Sequence, residues 1–319
     1  MRVKQFVSKV PVPICGLSLG LASLDRFLWY NHGDVYTFNI FALFSFMIAI
    51  LFTLRIFTDA KGILRDIEGP AVFAVLPTYT MTLILLAAYV KDHAGGVAGD
   101  VSFIVWMGAV IASYALLFVF IKRFVFKFGI EKVFPGWFVI FIGYVVASVT
   151  SASFGTETLG QVLFWSGIAG YAAMLPLLLY RTLIVRNIPA PLVPQIAIFA
   201  APANLCAVGC LTVYAVPPEI VIYILTVMGV ISYVAVLCYL PIMLRRKFHP
   251  SFAALTFPMV ISAVSFYRLG IYYGISANGV FAVLQGMTTV IAATLVICVL
   301  IAYIVFLYGA AKAARARPS

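Results

Sequence analysis

The stretch SFAALTFPMVISAVSFYRLG, residues 251–270, decides how the chain is to be read. It is apolar, and its length matches the roughly 20 residues a spanning helix needs. Yet Pro258 stands near its middle, directly after Phe257. A proline inside a helix removes a backbone hydrogen bond and clashes with the preceding turn. Hydrocarbon offers nothing in exchange. A break at that depth is tolerated where the backbone is buried in protein or borders a watery cavity.

The rest of the chain has the same character. Of 319 residues, 64% are hydrophobic and 10% charged, against about one-quarter charged in a typical soluble domain. The reading is an integral membrane protein in contact with the lipid bilayer, a single transmembrane domain over 1–319. Ten apolar segments fit, at about 11–30, 38–58, 70–90, 100–121, 134–153, 158–181, 192–215, 217–244, 251–270 and 277–309. Short connections make successive helices antiparallel hairpins and leave no room for a soluble domain. Arg2, Lys4 and Lys9 ahead of an apolar run resemble a signal peptide. Pro11 and Pro13 interrupt that run and no small-x-small site follows, so it reads as a retained first helix.

Lys and Arg fix the expected orientation. With ten segments, 18 of the 21 fall on one side: Arg2, Lys4 and Lys9, then Arg55, Lys61 and Arg65, then the later even-numbered loops and the C-terminus. Arg26, Lys91 and Arg268 fall on the other. Basic loops stay inside, so both termini are expected in the cytoplasm, with a bacterial inner (plasma) membrane as the location. The net charge of +11 has this explanation and calls for no nucleic acid.

Prolines recur by parity. The odd segments carry Pro11 and Pro13, Pro70 and Pro77, Pro135 with Gly136 and Gly143, Pro194 and Pro202, and Pro258. Segments two, four and ten have none, and six and eight have theirs near the ends. The fold class expected is therefore all-α with ten transmembrane helices as five hairpins. Five bent odd helices (approximately 11–30, 70–90, 134–153, 192–215 and 251–270) form an inner ring around a pore, and five even helices form an outer ring. Gly16, Ser18, Gly20 and Ala22 give the first helix a small-residue face, which serves close packing or leaves room for a solute.

The segments hold almost no ionisable residue near their middles; Asp25, Arg26 and Arg268 lie late in theirs. Coupled transporters and pumps usually need an intramembrane acid or His relay, and none is visible. Orphan amides at broken helices favour anions, and Thr78, Thr80, Ser148, Thr150, Ser151, Asn204, Thr256 and Ser262 are candidate neutral contacts. Cys15, Cys206, Cys210, Cys238 and Cys298 lie in apolar runs, and His32, His93 and His249 are far apart in sequence. No metal-ligand cluster, catalytic constellation or cofactor is indicated, so an enzyme is not expected.

Five motifs carry a family resemblance. VPICGLSLGLASL (12–24) resembles the GIPLGL-type first helix of the tellurite-resistance/dicarboxylate transporter family, which includes bacterial tellurite-resistance protein A and the plant guard-cell slow anion channels. LPTYT (76–80), VTSAS (149–153), AAPANLCAV (200–208) and ALTFPM (254–259) resemble its third, fifth, seventh and ninth helices, in family order. The resemblance implies a homotrimer with one pore per subunit, closed by a phenylalanine at the position of Phe257. It implies a lining bent at Pro77, Pro202 and Pro258, with Gly16 facing the gate. Ser18 replaces a family proline and Gly143 stands about where a relative has proline, so both helices are expected to bend differently. The long tail phosphorylated in the plant channels has no counterpart here, so control of that kind is not expected. The expected function is passive conduction of small monovalent anions, chloride or nitrate. The alternative is secondary transport of dicarboxylate, sulfite or tellurite-type anions.

Overall fold

The computed structural model describes residues 3–32 and 39–315. Arg2 and Arg317, counted above, lie outside the described residues, as do the side chains of Lys4, His32 and Arg315. Among the described residues every regular element is helical. Ten long segments follow in order: α1 Ile14–His32, α2 Asn39–Thr58, α3 Pro70–His93, α4 Gly96–Val125, α5 Trp137–Phe154, α6 Glu157–Val185, α7 Ala190–Val213, α8 Glu219–Leu244, α9 Pro250–Tyr272 and α10 Gly279–Arg315. Nine of them, α2 to α10, are long and apolar enough to cross a membrane. The 19-residue α1, which carries Asp25 and Arg26, is not one of the nine.

The odd segments change winding partway. In α3 a turn of helix at Pro70–Phe73 gives way to irregular backbone, and a new α-helix starts at Pro77. In α5 an α-helix ends at Ile142, a 3₁₀ turn covers Gly143–Val145, and α-helix resumes at Val146. In α7 a 3₁₀ run, Ala190–Ala200, precedes the α-helix Ala201–Val213. In α9 a 3₁₀ run, Pro250–Leu255, precedes the α-helix Thr256–Tyr272. Pro77, Pro202 and Pro258 all fall in the first turn of the resumed α-helix. A missing N–H costs nothing there, because the first four amides of a helix have no intrahelical partner. Pro258 is thus no defect in the middle of a helix. It marks where a second helix begins.

The even segments are wound continuously, apart from π-turns closing α4 (Ile121–Val125) and α6 (Tyr180–Val185). Pro176 lies just ahead of the latter, and a proline that frees a carbonyl favours such a local rewinding.

Burial separates the two sets. The apolar windows of α3, α5, α7 and α9 are 72%, 67%, 78% and 72% buried, and α1 is buried at every position from Ile14 to Asp25. The windows of α2, α4, α6, α8 and α10 are at most 33% buried. Contacts follow the same division: α1 packs on α3, α3 on α5, α5 on α7, α7 on α9 and α9 on α1. Each even segment packs on the odd segments next to it in sequence, and α10 packs on α9 and α1.

Two arginines at the ends of even segments are built into the bundle. Arg55 closes α2, donating to the Val10 carbonyl at 2.5 Å and pairing with Asp66 at 2.6 Å. Arg181 is buried in the π-turn of α6 and donates to the Asn187 carbonyl at 2.6 Å.

Candidate functional site

Two cavities lie end to end among the odd segments. The smaller, about 60 Å³, is bordered by Gly16 of α1, Thr78 of α3, Gly143 of α5, Pro202 of α7 and Pro258 of α9, all close to the changes of winding. The larger, about 600 Å³, is bordered further along the same helices by Ser23, Asp92, Ser153, Thr212 and Tyr267. Two side chains line both: Leu205 of α7 and Phe257 of α9. Both are apolar and almost fully buried. They stand where the two volumes meet.

The lining residues recur along each helix at steps of three and four. On α7 the residues are Gln195, Ile198, Ala201 with its neighbour Pro202, Leu205, Val208 and Thr212. On α9 they are Ser251, Ala253 with Ala254, Phe257 with Pro258, Ile261, Val264, and Tyr267 with Arg268. Steps of three and four keep one helix face turned one way, so each helix presents a single stripe to both cavities.

Of the seven positions expected to line or bend a pathway, five border the smaller cavity: Gly16, Gly143, Pro202, Phe257 and Pro258. Gly20 and Pro77 border neither. Gly20 instead faces Thr256, so its smallness serves the packing of α1 on α9. Pro77 is buried at the start of the inner helix of α3, next to Thr78. Leu205 was not singled out in the sequence. Its position three residues after Pro202 was the available signal.

The polar candidates mostly do another job. Thr80 bonds Ser113 of α4 at 2.6 Å, Thr150 accepts from Trp106 Nε1 of α4 at 2.8 Å, and Ser148 donates to the Gly160 carbonyl of α6 at 2.7 Å. Asn204 donates to the Gly229 carbonyl of α8 and to Ser262 Oγ of α9, and the Ser151 hydroxyl donates to the Ser148 carbonyl in its own helix. Thr256 Oγ1 reaches the Gly16 carbonyl at 2.9 Å. Of the eight candidates, Thr78 alone borders a cavity. Four backbone amides at the changes of winding are taken as well. The amides of Thr78, Tyr79, Ala201 and Thr256 each bond a carbonyl three residues back. Tightening to 3₁₀ geometry satisfies donors that an abrupt α-helix start would leave open.

Charge enters through the larger cavity instead. Arg26 Nη1 lies 2.7 Å from Asp92 Oδ2, and its Nη2 donates to Ser153 Oγ at 3.0 Å. Arg268 lines the same cavity and donates to the Leu211 carbonyl at 3.0 Å. Among the described residues, two guanidiniums and one carboxylate line this volume. Among the described residues no group of His, Cys, Asp and Glu is placed to hold a metal ion.

A comparison with curated proteins gave no match. A comparison with family models did: residues 11–309, nearly the whole chain, match the model described as voltage-dependent anion channel, SLAC1. Members of this family are anion channels and transporters, in keeping with the apolar helices and the guanidiniums lining the larger cavity, and the chain belongs to it.

Proposed function

We propose that the protein is a channel that passively conducts small monovalent anions such as chloride or nitrate. Its pathway is the space between α1, α3, α5, α7 and α9, and Phe257, which borders both cavities together with Leu205, is its gate. The observation that carries this reading is that Phe257 and Leu205 are the two side chains common to both cavities. The cyclic packing of the odd segments supports an inner ring, with the lipid-exposed even segments outside. In this reading α1 is the tenth span, both termini face the cytoplasm of a bacterial inner membrane, and three copies assemble with one pathway each.

An apolar constriction between two wider volumes stops ions by dewetting. The guanidiniums of Arg26 and Arg268 in the larger cavity offer passing anions cationic contacts at one mouth, an effect that salt screens. With no strong anion-binding cluster at the constriction, an ion that passes is not held.

The test is a current–voltage recording from purified protein in planar bilayers, under a chloride gradient and with gluconate substituted on one side. A reversal potential that follows the chloride gradient supports the channel. A second reading, coupled transport, draws on one feature: Asp92 places a carboxylate inside the larger cavity. Saturable malate uptake into proteoliposomes that needs a proton gradient, with no measurable current, would replace the channel reading with that one.

A further inference from the structure

A third cavity, about 620 Å³, lies away from the proposed pathway, on the flank where α6, α7 and α8 meet. Its walls are apolar at membrane depth, with Leu175 and Leu179 of α6, Phe199 of α7 and Ile231 of α8 among them. At one end stand Arg186, just past α6, and Arg246, just past α8. From Tyr171 to Leu183 the groove follows twelve residues of α6, about 18 Å at 1.5 Å per residue. That is close to one leaflet of a hydrocarbon core about 30 Å thick.

Three observations at the arginine end point to an anionic ligand. Neither guanidinium pairs with a carboxylate among the described residues; Arg186 spends its Nε on the Leu183 carbonyl at 2.6 Å. The hydroxyl of Thr182, which also lines the groove, is buried without a hydrogen-bond partner. Arg186 adopts φ +59°, the one positive φ among the described non-glycine residues. Glycine would take that turn without strain, so an arginine there sets its side chain against a backbone cost.

We propose that this groove binds an anionic phospholipid, with one acyl chain between α6 and α8 and the phosphate between Arg186 and Arg246. An apolar slot one leaflet deep, with two unpaired arginines at headgroup level, matches a lipid in both length and charge. A zwitterionic lipid would bring its own cation to the arginines, and a soluble anion would leave the apolar wall uncovered. Basic pockets between transmembrane helices are a recurrent form of headgroup recognition.

The experiment is native mass spectrometry of the detergent-purified protein with phosphatidylglycerol, phosphatidylcholine or inorganic phosphate added. The expected result is retention of phosphatidylglycerol over phosphatidylcholine by roughly tenfold or more, the order that two basic residues at an anionic headgroup supply. The preference is expected to disappear in R186Q/R246Q and to persist in K61Q/R65Q, which removes the same charge elsewhere. Should R186Q/R246Q not purify as a single species, Ala235→Trp, which fills the groove and keeps both arginines, is expected to lose the same retention. Equal retention of both lipids, an undiminished preference in the groove variants, or thermal stabilisation by phosphate equal to that by lipid would overturn the proposal. So would loss of the oligomer in R186Q/R246Q with lipid retention intact, which would assign the groove to a second copy of the chain.

Discussion

Gly20 of α1 lies so close to Thr256 of α9 that a Cβ built on it falls 2.5 Å from Thr256 Oγ1 and 3.1 Å from the Phe257 amide. Any larger residue must push the two helices apart at the turn that carries Phe257. Gly20→Ala is expected to cost about 1–3 kcal/mol, the usual range for overpacking, read as a lowered melting temperature in detergent. Adding Thr256→Ala removes the atoms it would strike and is expected to restore part of the loss. A double variant no more stable than Gly20→Ala would rule out this contact as the cause.

Phe257 borders both cavities, and Phe257→Ala is expected to join them. Single-channel or macroscopic anion conductance is expected to rise roughly tenfold or more, which needs a barrier lower by only about 1.4 kcal/mol. Leu205→Ala is expected to act in the same direction and less strongly. Unchanged conductance from protein of unaltered oligomeric state would remove Phe257 as the gate.

Asp92→Asn leaves the larger cavity with two guanidiniums and no carboxylate. At low ionic strength anion conductance is expected to increase about two- to fivefold, since one charge about 4 Å away in water is worth about 1 kcal/mol. Arg268→Gln is expected to lower it. Both effects should fade in molar salt as screening sets in. A salt-independent change, or one of the opposite sign, would place these side chains outside the ion's path.

Asn204 offers the complementary test. It bonds α8 and α9 and borders neither cavity. Asn204→Ala is expected to cost about 1–2 kcal/mol of stability, in line with hydrogen bonds between membrane helices. Relative permeability to chloride and nitrate should stay the same. A shift in reversal potential under mixed-anion conditions would show instead that Asn204 meets the ion.

His249 precedes α9, and its Nδ1 accepts from the Ser251 amide at 3.3 Å. Burial lowers its pKa below the ordinary 6.5. The folded protein therefore favours the neutral ring. The stability it contributes is complete above pH 6.5 and is lost as pH falls through the lowered folded value. The melting temperature is expected to drop between pH 7.5 and pH 5, with a smaller drop in His249→Gln. Equal drops in the two proteins would discount this histidine.

The features that sequence exposed are those written in residue identity. Proline is legible wherever it stands, so Pro77, Pro202 and Pro258 announced the breaks in α3, α7 and α9. The family motifs were equally plain. What stayed hidden depends on which way a side chain faces. Thr80, Thr150 and Asn204 look like pathway residues in a list of intramembrane polar groups, yet each bonds a neighbouring helix. Arg26 and Asp92 lie 66 residues apart, and nothing local pairs them. The winding of α7 was also silent, because 3₁₀ and α backbones accept the same apolar residues and differ only in which carbonyl each amide chooses.

That choice of carbonyl sets an angular phase. A 3₁₀ helix advances about 120° per residue and an α-helix about 100°. Along α7 the cavity stripe advances by threes through Gln195, Ile198 and Ala201, then by four, three and four through Leu205, Val208 and Thr212. The step changes where the winding changes, and the stripe stays in register. If the 11 residues Ala190–Ala200 rewound as α-helix, the start of the segment would rotate by about 220° against its end and shorten by about 5 Å. Gln195, six residues before Ala201, would then turn by about 120° relative to it, and Ile198, three before, by about 60°. If these cavities are the pathway, torsion of this one segment would change its lining without a hinge.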